Sequence, residues 1–265
     1  MEAPHRDDPS LSEEERLAPL LGKKLLEDHK DVASEHGHWK KVKEKRGITV
    51  HLRHEEGNPI KAGKARGLIP GSPKLLLRIL QSLDYYPQID PLYTGGRVVD
   101  KFADGKHEII YAAYSSGFNL VVSPRDFLYL EAKWLVVVCS QWPLSTELGR
   151  RDFEGDTRVI ACISIERDDV PHVKGHVRGH IFESGWVIAP CQPTAAEIKA
   201  AGLADVESDS WCDCLFLAQV DIKGWIPTWL VNRLSGELGD ALHRLRKFIK
   251  EKGHTVVFED DGHHS

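Results

Sequence analysis

The clearest hydrophobic pattern lies near the C-terminus, where apolar residues recur at helical spacing across 226–252. They are separated by four, four, three, four and three positions: Leu230, Leu234, Leu238, Ala241, Leu245 and Phe248. Charged residues follow similar spacing on another face, and Gly253 comes directly after the segment. This arrangement predicts a long amphipathic helix whose apolar face covers another part of the protein.

Alternation of apolar and polar residues predicts strands in much of the remaining chain. Three of them, at 39–44, 48–53 and 60–68, are joined by short turns and predict an antiparallel meander. Six more are predicted downstream, at 92–101, 108–115, 125–138, 157–165, 175–189 and 211–221. The centre of the chain is therefore expected to form a large sheet.

Three shorter helices are predicted around these strands. Leucines at helical spacing after Ser12 predict one helix before the first strand. Ser72 is a suitable N-cap with Pro73 at the first helical position, which predicts a second helix. Thr194 and Glu197 have the spacing of a capping box, which predicts a third, short helix.

The order of these elements predicts the fold class. Helices segregated from runs of strands indicate an α+β protein with an antiparallel sheet. The simplest arrangement is one curved sheet with the long C-terminal helix across its concave face. We expect a single domain over 12–253, preceded by a flexible tail at 1–11 and followed by a tail at 254–265.

Composition excludes several classes of protein. The 265 residues carry a formal net charge of −5, which argues against a general nucleic-acid-binding protein. No run of about 18 apolar residues is present, and the acidic N-terminus does not resemble a signal peptide. Five scattered cysteines do not suggest a disulfide framework. These features favour a cytoplasmic protein.

The histidines and cysteines give only weak evidence for a metal site. His172, His176 and His180 are four residues apart, but a strand there would hold the outer pair too far apart for one ion. Cys212 and Cys214 lack the second pair of a typical zinc site. Nucleophile-elbow, phosphate-loop and dinucleotide-binding motifs are absent. We therefore expect no metal or organic cofactor.

Three strings between residues 123 and 232 carry more specific information. They are Ser123–Phe127 (SPRDF), Ser184–Pro190 (SGWVIAP) and Gln219–Asn232 (QVDIKGWIPTWLVN). In this order, and followed by the long helix, they closely resemble the START domain, the StAR-related lipid-transfer family. The resemblance extends over about 20–252.

This resemblance implies a helix-grip fold, in which a curved antiparallel β-sheet and a long C-terminal helix enclose a hydrophobic tunnel. Such a domain binds one lipid and transfers it between membranes. Enclosure is physically reasonable, because each buried CH₂ group contributes about 0.8 kcal/mol. Moving a lipid with roughly 30 such groups from a bilayer into water without a carrier would therefore cost on the order of 25 kcal/mol.

The resemblance also implies a gate at a membrane surface. The link at 115–122 is apolar, although loops are usually polar. The predicted lid and membrane-contact residues are Phe118, Leu120, Val121 and Val122. The alternative is that they cap the core beneath the helix. The expected partners are a lipid and, transiently, a membrane; we expect a monomer that binds no nucleic acid.

One predicted strand carries the first candidates for contact with the polar end of a lipid. Phe127, Tyr129 and Glu131 alternate along it and share one side. In sterol-binding relatives an Arg near the position of Glu131 faces the cavity and pairs with a Glu near the position of Tyr111. Both are replaced here, so the resemblance favours a phospholipid over a sterol. The alternative is a solvent-exposed Glu131.

The segment 84–90 supplies the second candidates. Phosphatidylcholine-binding relatives have an Arg and an Asp four residues apart; Asp90 matches the Asp, whereas Tyr86 replaces the Arg. Tyr86 could instead join Tyr85, Tyr111 and Tyr129 in an aromatic wall that holds a choline group through cation–π contact. Alternatively, these tyrosines belong to the core, with their hydroxyl groups hydrogen-bonded.

The remaining candidates are apolar, and they contact either lipid or only protein. They are Phe182, Phe216, Leu230, Leu234 and Leu238. Two other functions stay open. A lipid sensor acting on a partner protein would need interaction segments such as the inserts near 139–157 and 191–210. A helix-grip enzyme could use Glu131, Asp90 and His180 as acid or base if all three point inward.

Overall fold

The computed structural model describes residues 22–27, 39–55, 57–115, 122–136, 156–224 and 228–256. For residues 55, 134, 136 and 228–236 it describes the backbone but not the side chain. The predicted tail at 1–11 lies outside the described residues, as do most of the insert near 139–157 and the chain beyond 256. The extent of the single domain therefore stays a prediction.

A short helix, α1, covers residues 22–27. The strands are β1 Trp39–Lys45, β2 Ile48–Glu55, β3 Asn58–Pro70, β4 Tyr93–Lys101, β5 His107–Tyr114, β6 Arg125–Val136, β7 Thr157–Ser164, β8 Val177–Arg178, β9 His180–Cys191 and β10 Trp211–Asp221. The other helices are α2 Pro73–Gln81, α3 Tyr86–Ile89, α4 Ala195–Ala200 and α5 Thr228–Lys252, followed by a 3₁₀ turn at Gly253–Thr255.

In the described part of the chain the strands form one sheet, in the order β1-β2-β3-β10-β9-β7-β6-β5-β4. Neighbours along this path are antiparallel. The short β8 pairs with β6 in parallel. The predicted α+β class, with an antiparallel sheet and a long C-terminal helix, is confirmed. No described helix is long and apolar enough to cross a membrane.

Local sequence signals define two of the helices. The hydroxyl of Ser72 accepts a hydrogen bond from the Leu75 N–H at 3.2 Å, and Pro73 occupies the first turn of α2. At α4, Thr194 and Glu197 form both hydrogen bonds of a capping box. Both helix starts were predicted from these residues.

Two regions differ from the sequence-based prediction. The strand expected at 175–189 is divided, because β8 leaves the antiparallel ladder to pair with β6. Gly179 separates β8 from β9, and a Cβ there would lie 2.3 Å from the ring of Phe127. The turn expected at 84–87 leads directly into α3, in which Pro87 occupies the first turn.

The main core lies on the concave face of the sheet, under α2 and the C-terminal half of α5. From α5, Leu242 and Leu245 are fully buried, and Phe248 packs beside them. They contact a cluster of strand residues that includes Val50 and Ile188. This part of the concave face is filled with protein side chains.

Arg246 fastens α5 to three other segments. Its guanidinium donates hydrogen bonds to the carbonyl oxygens of Leu68 at 2.8 Å, Arg46 at 2.7 Å and Ala201 at 3.4 Å. Burial lowers its pKa to about 10. Because Ala201 ends α4, the insert near 191–210 is bound to the sheet and to α5 through this side chain.

The convex face is also covered, in two separate clusters. Leu25 of α1 packs against Val187, Leu215 and other residues of the central strands. Leu128 and further residues form a second cluster towards β4 and β5. Coverage on both faces explains why β9 contains a continuous run of buried residues rather than a strict alternation.

Gly185 is expected to be essential for the packing of β9. A Cβ at this position would lie 2.1 Å from the carbonyl oxygen of Ile160 and 3.0 Å from the Cα of Ala161, so the neighbouring backbone would have to move. We expect Gly185→Ala to lower the free energy of unfolding by about 1–3 kcal/mol in urea denaturation. Gly95→Ala is the matched control.

Gly95 has a φ of +157°, against +158° for Gly185, and a Cβ there would meet nothing within 4 Å. Both variants therefore carry the same backbone cost, and their difference isolates the steric clash. Equal losses of stability in the two variants would show that the close contact between Gly185 and the backbone of β7 does not determine the stability of the protein.

Candidate functional site

A cavity of about 540 Å³ lies between the concave face of the sheet and helices α2, α3 and α5. This volume is within the roughly 300–1,000 Å³ of pockets that hold one small ligand. Its apolar lining residues are Leu80, Leu92, Val122, Phe127, Ile160, Ile181, Trp186, Phe216, Ala218, Val220 and Ile222. The hydrophobic space expected between sheet and helix is therefore present.

Alternation along the strands explains which residues reach this space. On β6, Phe127, Tyr129 and Glu131 line the cavity, whereas Leu128 and Leu130 between them are buried on the convex face. The same alternation on β10 contributes Phe216, Ala218 and Val220. Period-two patterning thus gives this half of the sheet one face for the core and one for the cavity.

Aromatic rings form much of the wall. Trp186 and Phe216 are stacked, with 4.4 Å between ring centroids and 16° between ring planes. Tyr114 contacts Phe127 edge to face at 5.5 Å, and its hydroxyl is hydrogen-bonded to that of Tyr86. Because burial raises the pKa of both tyrosines, they stay protonated and keep a hydroxyl group that can donate a hydrogen bond.

Glu131 is a carboxylate inside this largely apolar cavity, and only 6% of its surface is exposed. Burial raises its pKa to about 7, although the positive charge of Lys133 opposes the shift. Lys133 Nζ forms an ion pair with Oε1 at 3.7 Å and donates a shorter hydrogen bond, of 2.6 Å, to Glu108. Among the described residues Oε1 has no hydrogen-bond partner, and Cys162 Sγ lies 4.0 Å from Oε2.

The raised pKa of Glu131 predicts a pH dependence of stability. The folded protein binds this proton more tightly than the unfolded chain, whose Glu has a pKa of 4.5, so stability falls as the pH rises from 4.5 to about 7. The loss amounts to roughly 3 kcal/mol. Glu131→Gln should therefore be more stable than the wild type at pH 8 and gain little at pH 5.

Urea denaturation of both proteins at the two pH values measures this effect. Other carboxylates also titrate in this range, and burial raises the pKa of Asp90 as well. Only the difference between variant and wild type isolates Glu131. A gain that is the same at pH 5 and pH 8 would contradict a perturbed carboxyl group at this position.

Two further carboxylates line the cavity on the helix side. Asp90, at the end of α3, accepts a hydrogen bond from the Leu92 N–H at 3.0 Å. Glu237 of α5 is paired with Arg244 at 3.1 Å, and Arg244 also donates a hydrogen bond to the carbonyl oxygen of Ile89. These contacts hold α3 against α5 at one side of the cavity.

Arg125 joins the start of β6 to the segment that leads into α5. It donates hydrogen bonds to the carbonyl oxygens of Ile222 at 3.0 Å and Lys223 at 2.9 Å, and to that of Ser123. Among the described residues that line the cavity, Arg125 is the one with a positively charged side chain, and burial lowers its pKa. The SPRDF string therefore provides a structural tie between two loops at the edge of the cavity.

Comparison with known families agrees with this architecture. The family model of the START domain matches residues 20–255, nearly the whole chain. The chain belongs to the START domain family. A comparison with curated protein sequences finds no significant match.

Solved structures show the same helix-grip fold. Human StAR-related lipid transfer protein 5 is similar to this START domain with a TM-score of 0.69 and 18% identity, over 90% of this chain and 97% of that chain. Human STARD10 is similar with a TM-score of 0.62 and 17% identity, over 94% of this chain and 86% of that chain. The human StarD13 (DLC2) lipid transfer and protein localization domain is similar with a TM-score of 0.58 and 18% identity, over 85% of this chain and 94% of that chain. At these low sequence identities the three comparisons show a shared fold and nothing about the ligand.

Within this START domain, the structure brings together six of the residues selected from the sequence. Tyr86, Asp90, Tyr129, Glu131, Phe216 and Val122 all line the cavity. Phe118, Leu120 and Val121 lie outside the described residues, and the side chains of Leu230 and Leu234 are not described. Leu238 packs in the core towards Gly63, where a Cβ would lie 2.3 Å from its Cδ1. It is not among the lining residues.

The expectation that Tyr111 faces the cavity is wrong. In the β5–β6 register Tyr111 lies opposite Leu128, a residue of the convex-face core. Its hydroxyl is hydrogen-bonded to Asp126, and Arg97 lies over its ring at 5.8 Å. The predicted aromatic wall is instead formed with Tyr114, three positions further along β5.

Phe182 also points away from the cavity, because the ladder between β9 and β10 contains a bulge. Glu183 pairs with Gln219 but the next pair is Ile181 with Val220, so the extra residue reverses the alternation. Ile181 lines the cavity in place of Phe182, whose ring contacts that of His180 at 4.7 Å. His180 is likewise absent from the lining of the cavity. The three candidate acid–base residues, Glu131, Asp90 and His180, therefore do not all reach the cavity.

Sequence reasoning missed several polar residues of the cavity, namely Tyr114, Arg125, Cys162, Ser184 and Glu237. Two of them carried a usable signal. Arg125 has the same parity as Phe127 and Glu131 on β6, and Ser184 has the same parity as Trp186 on β9. No pattern in the sequence indicated an inward position for Glu237, which lies between Gly236 and Leu238.

No cluster of three or more metal-binding side chains occurs in the described part of the chain. The cysteines of the cavity region are also poorly suited to reaction as thiolates, because burial raises the pKa of Cys162 and Cys214. The absence of a cofactor stays a prediction.

Proposed function

We propose that this START domain binds one lipid in its cavity and transfers it between membranes. The observation that carries the proposal is the cavity of about 540 Å³ with a mainly apolar and aromatic lining. An acyl chain or ring system placed there gains about 0.8 kcal/mol for each CH₂ group removed from water. A soluble carrier needs such a gain to hold its lipid away from a bilayer.

The charges around the cavity bear on the class of lipid. Asp90, Glu131 and Glu237 line it, and the guanidinium of Arg125 is engaged with three backbone carbonyl groups. An anionic head group would therefore meet more negative than available positive charge. We propose a lipid without net negative charge. The preference for a phospholipid over a sterol stays a prediction, and among phospholipids it now points to the zwitterionic ones.

A transfer assay tests the proposal. Donor liposomes carry a fluorescent phosphatidylcholine and a quencher, and acceptor liposomes carry neither; a parallel assay uses a fluorescent sterol. We expect transfer to accelerate in proportion to protein concentration for at least one of these lipids. No acceleration with either lipid, by a protein that is folded by circular dichroism, would contradict the carrier function.

The same assay addresses the enzyme alternative. We propose that the lipid is carried without chemical change, in agreement with the failure of His180 to reach the cavity. Extraction of the lipid after incubation, followed by mass spectrometry, should recover it intact. A new product that depends on the protein would favour catalysis instead.

We also propose that the segment 115–122 is a lid that meets the membrane, and that the protein is cytoplasmic and only transiently bound to membranes. Ser115 and Val122, which flank residues 116–121, both line the cavity. The segment between them therefore starts and ends at the edge of the cavity. This placement supports the lid predicted from the apolar sequence.

Phe118→Asp tests the lid. A charge at this position opposes insertion into the apolar part of a bilayer, so the rate of liposome transfer should fall about tenfold. The circular dichroism spectrum and melting temperature should remain those of the wild type. If transfer is unchanged, residue 118 does not meet the membrane.

A further inference from the structure

The edge strand β1 and the turn that follows it carry a dense group of positive charges. Every residue of 40–46 is exposed, and five of these seven residues are Lys or Arg. We call this group the basic strip; its members are Lys40, Lys41, Lys43, Lys45 and Arg46. The acid within the segment is Glu44, which pairs with Lys41. Because the whole chain has a net charge of −5, the basic strip is a local exception on an acidic protein.

A bulge places three of these lysines on one side of the sheet. In the ladder with β2 the register shifts between Lys41 and Lys43, so that Val42 is the extra residue. Strict alternation would place Lys40 and Lys43 on opposite sides. The bulge instead pairs Lys40, Lys43 and Lys45 with alternate residues of β2, on the side that α5 covers. Lys43 and Lys45 then follow each other at about 7 Å along the strand.

The basic strip is remote from the mouth of the cavity. β1 forms one edge of the sheet, whereas β6 and β5, which flank the segment 115–122, are the seventh and eighth strands along the same path. At about 4.8 Å for each strand spacing, β6 lies about 29 Å from β1 along the sheet. No residue of β1, β2 or β3 is among the described residues that line the cavity. A contact made by the basic strip is therefore separate from the proposed lid.

The charges of the basic strip are available to a partner. In the described part of the chain, no ion pair involves Lys40, Lys43 or Lys45. Their field extends to α5, where burial lowers the pKa of His243 and the charges of Arg46 and Lys45 act in the same direction. A positive potential at an exposed edge attracts anions from solution.

The form of this edge indicates what kind of anion it meets. Lysines and a bulge on an edge strand discourage the addition of another strand. An extended acidic segment of another protein therefore has no regular ladder to join. The phosphate groups of a bilayer are mobile and need no register, and each Lys or Arg close to an anionic bilayer strengthens binding about fivefold. An exposed row of lysines fits such a surface.

We propose that the basic strip is a second membrane contact, which binds bilayers that contain anionic lipids and is separate from the lid. This inference rests on the proposed function only in placing the protein at membranes. The basic strip attracts the protein to a negatively charged bilayer, whereas the lid admits and releases the cargo. The protein thereby exchanges lipid preferentially at anionic membranes.

Co-sedimentation with vesicles tests the inference. Vesicles of phosphatidylcholine alone, and of phosphatidylcholine with about 30% phosphatidylserine, are compared in about 0.1 M and about 1 M sodium chloride. The strip variant is Lys40→Gln/Lys43→Gln/Lys45→Gln. The matched control is Lys23→Gln/Lys106→Gln/Lys199→Gln, which removes three positive charges from exposed positions elsewhere.

At low salt, we expect the wild type to bind the anionic vesicles at least about tenfold more tightly than the neutral ones. This difference should disappear at high salt, because the Debye length falls from about 10 Å to about 3 Å. The strip variant should lose at least about tenfold in affinity for anionic vesicles, and the control variant about threefold or less. Lipid transfer between neutral liposomes should be the same for all three proteins.

Three results would refute the inference while the carrier function stands. They are equal binding of the wild type to both kinds of vesicle, unchanged affinity in the strip variant, and an equal loss in the control variant. Poly-glutamate is offered in parallel as a model of an acidic protein segment. If it binds the wild type and anionic vesicles do not, the basic strip is a protein-docking surface and the membrane contact is refuted. If neither binds, the lysines only protect the sheet edge.

Discussion

Ala218→Trp is expected to abolish lipid binding and transfer while leaving the fold intact. Ala218 lies on β10 between Phe216 and Val220, and all three line the cavity. An indole ring at this position extends into the space that a lipid would occupy. Because the added ring fills empty volume instead of displacing packed atoms, the loss of stability should be small. Liposome transfer should fall at least about tenfold.

Two controls make this result specific. Ala218→Ser changes the same position without filling the cavity and should transfer lipid at the wild-type rate. Lys199→Trp places the same indole ring on the exposed helix α4, outside the cavity, and should also be neutral. If Ala218→Trp transfers lipid normally, the cargo does not occupy the space next to β10.

The second large effect is expected from Asp126→Ala, and it concerns stability. The carboxylate of Asp126 forms two hydrogen bonds of 3.1 Å with Arg178, and the two side chains are 1% and 7% exposed. Removing the carboxylate leaves the guanidinium buried without its counter-charge. We expect the free energy of unfolding to fall by about 3–5 kcal/mol in urea denaturation.

An exposed pair of the same residue types is the control. Arg167 and Asp169 are joined by a similar pair of hydrogen bonds, but Asp169 is exposed to solvent. Water solvates either partner when the other is removed, so Asp169→Ala should cost far less. Equal losses in the two variants would mean that burial does not set the strength of the Asp126–Arg178 pair.

The periodicity of the sequence was sufficient to predict the fold and part of the cavity. Alternation placed Phe127, Tyr129 and Glu131 on one face of β6, and capping residues placed the starts of α2 and α4. These signals are local, because a strand or a helix cap is defined by residues close together in the chain. The three strings then identified the family.

The errors arose where the site depends on contacts between strands. Tyr111 was assigned to the cavity, but its direction is set by the register of β5 on β6, which pairs it with Leu128. Phe182 was assigned by alternation, which the bulge in β9 reverses. Neither a register nor a bulge has a reliable sequence signal here.

The environment of Glu131 illustrates the same limit. Its inward direction follows from alternation, but Lys133 is shared between Glu131, at 3.7 Å, and Glu108 of the adjacent strand, to which it donates a hydrogen bond. From sequence alone, Lys133 would be expected to pair with Glu131 only. The position of Glu108 in this group becomes visible only when the side chains of β5 and β6 are placed together.

Native mass spectrometry of the wild-type protein after incubation with mixed-lipid vesicles tests the central claim most directly. The account predicts a population of folded monomer that carries one lipid per chain, and no such population for Ala218→Trp. A wild-type spectrum that contains only the mass of the bare chain, from protein that is folded, would contradict a lipid-binding cavity.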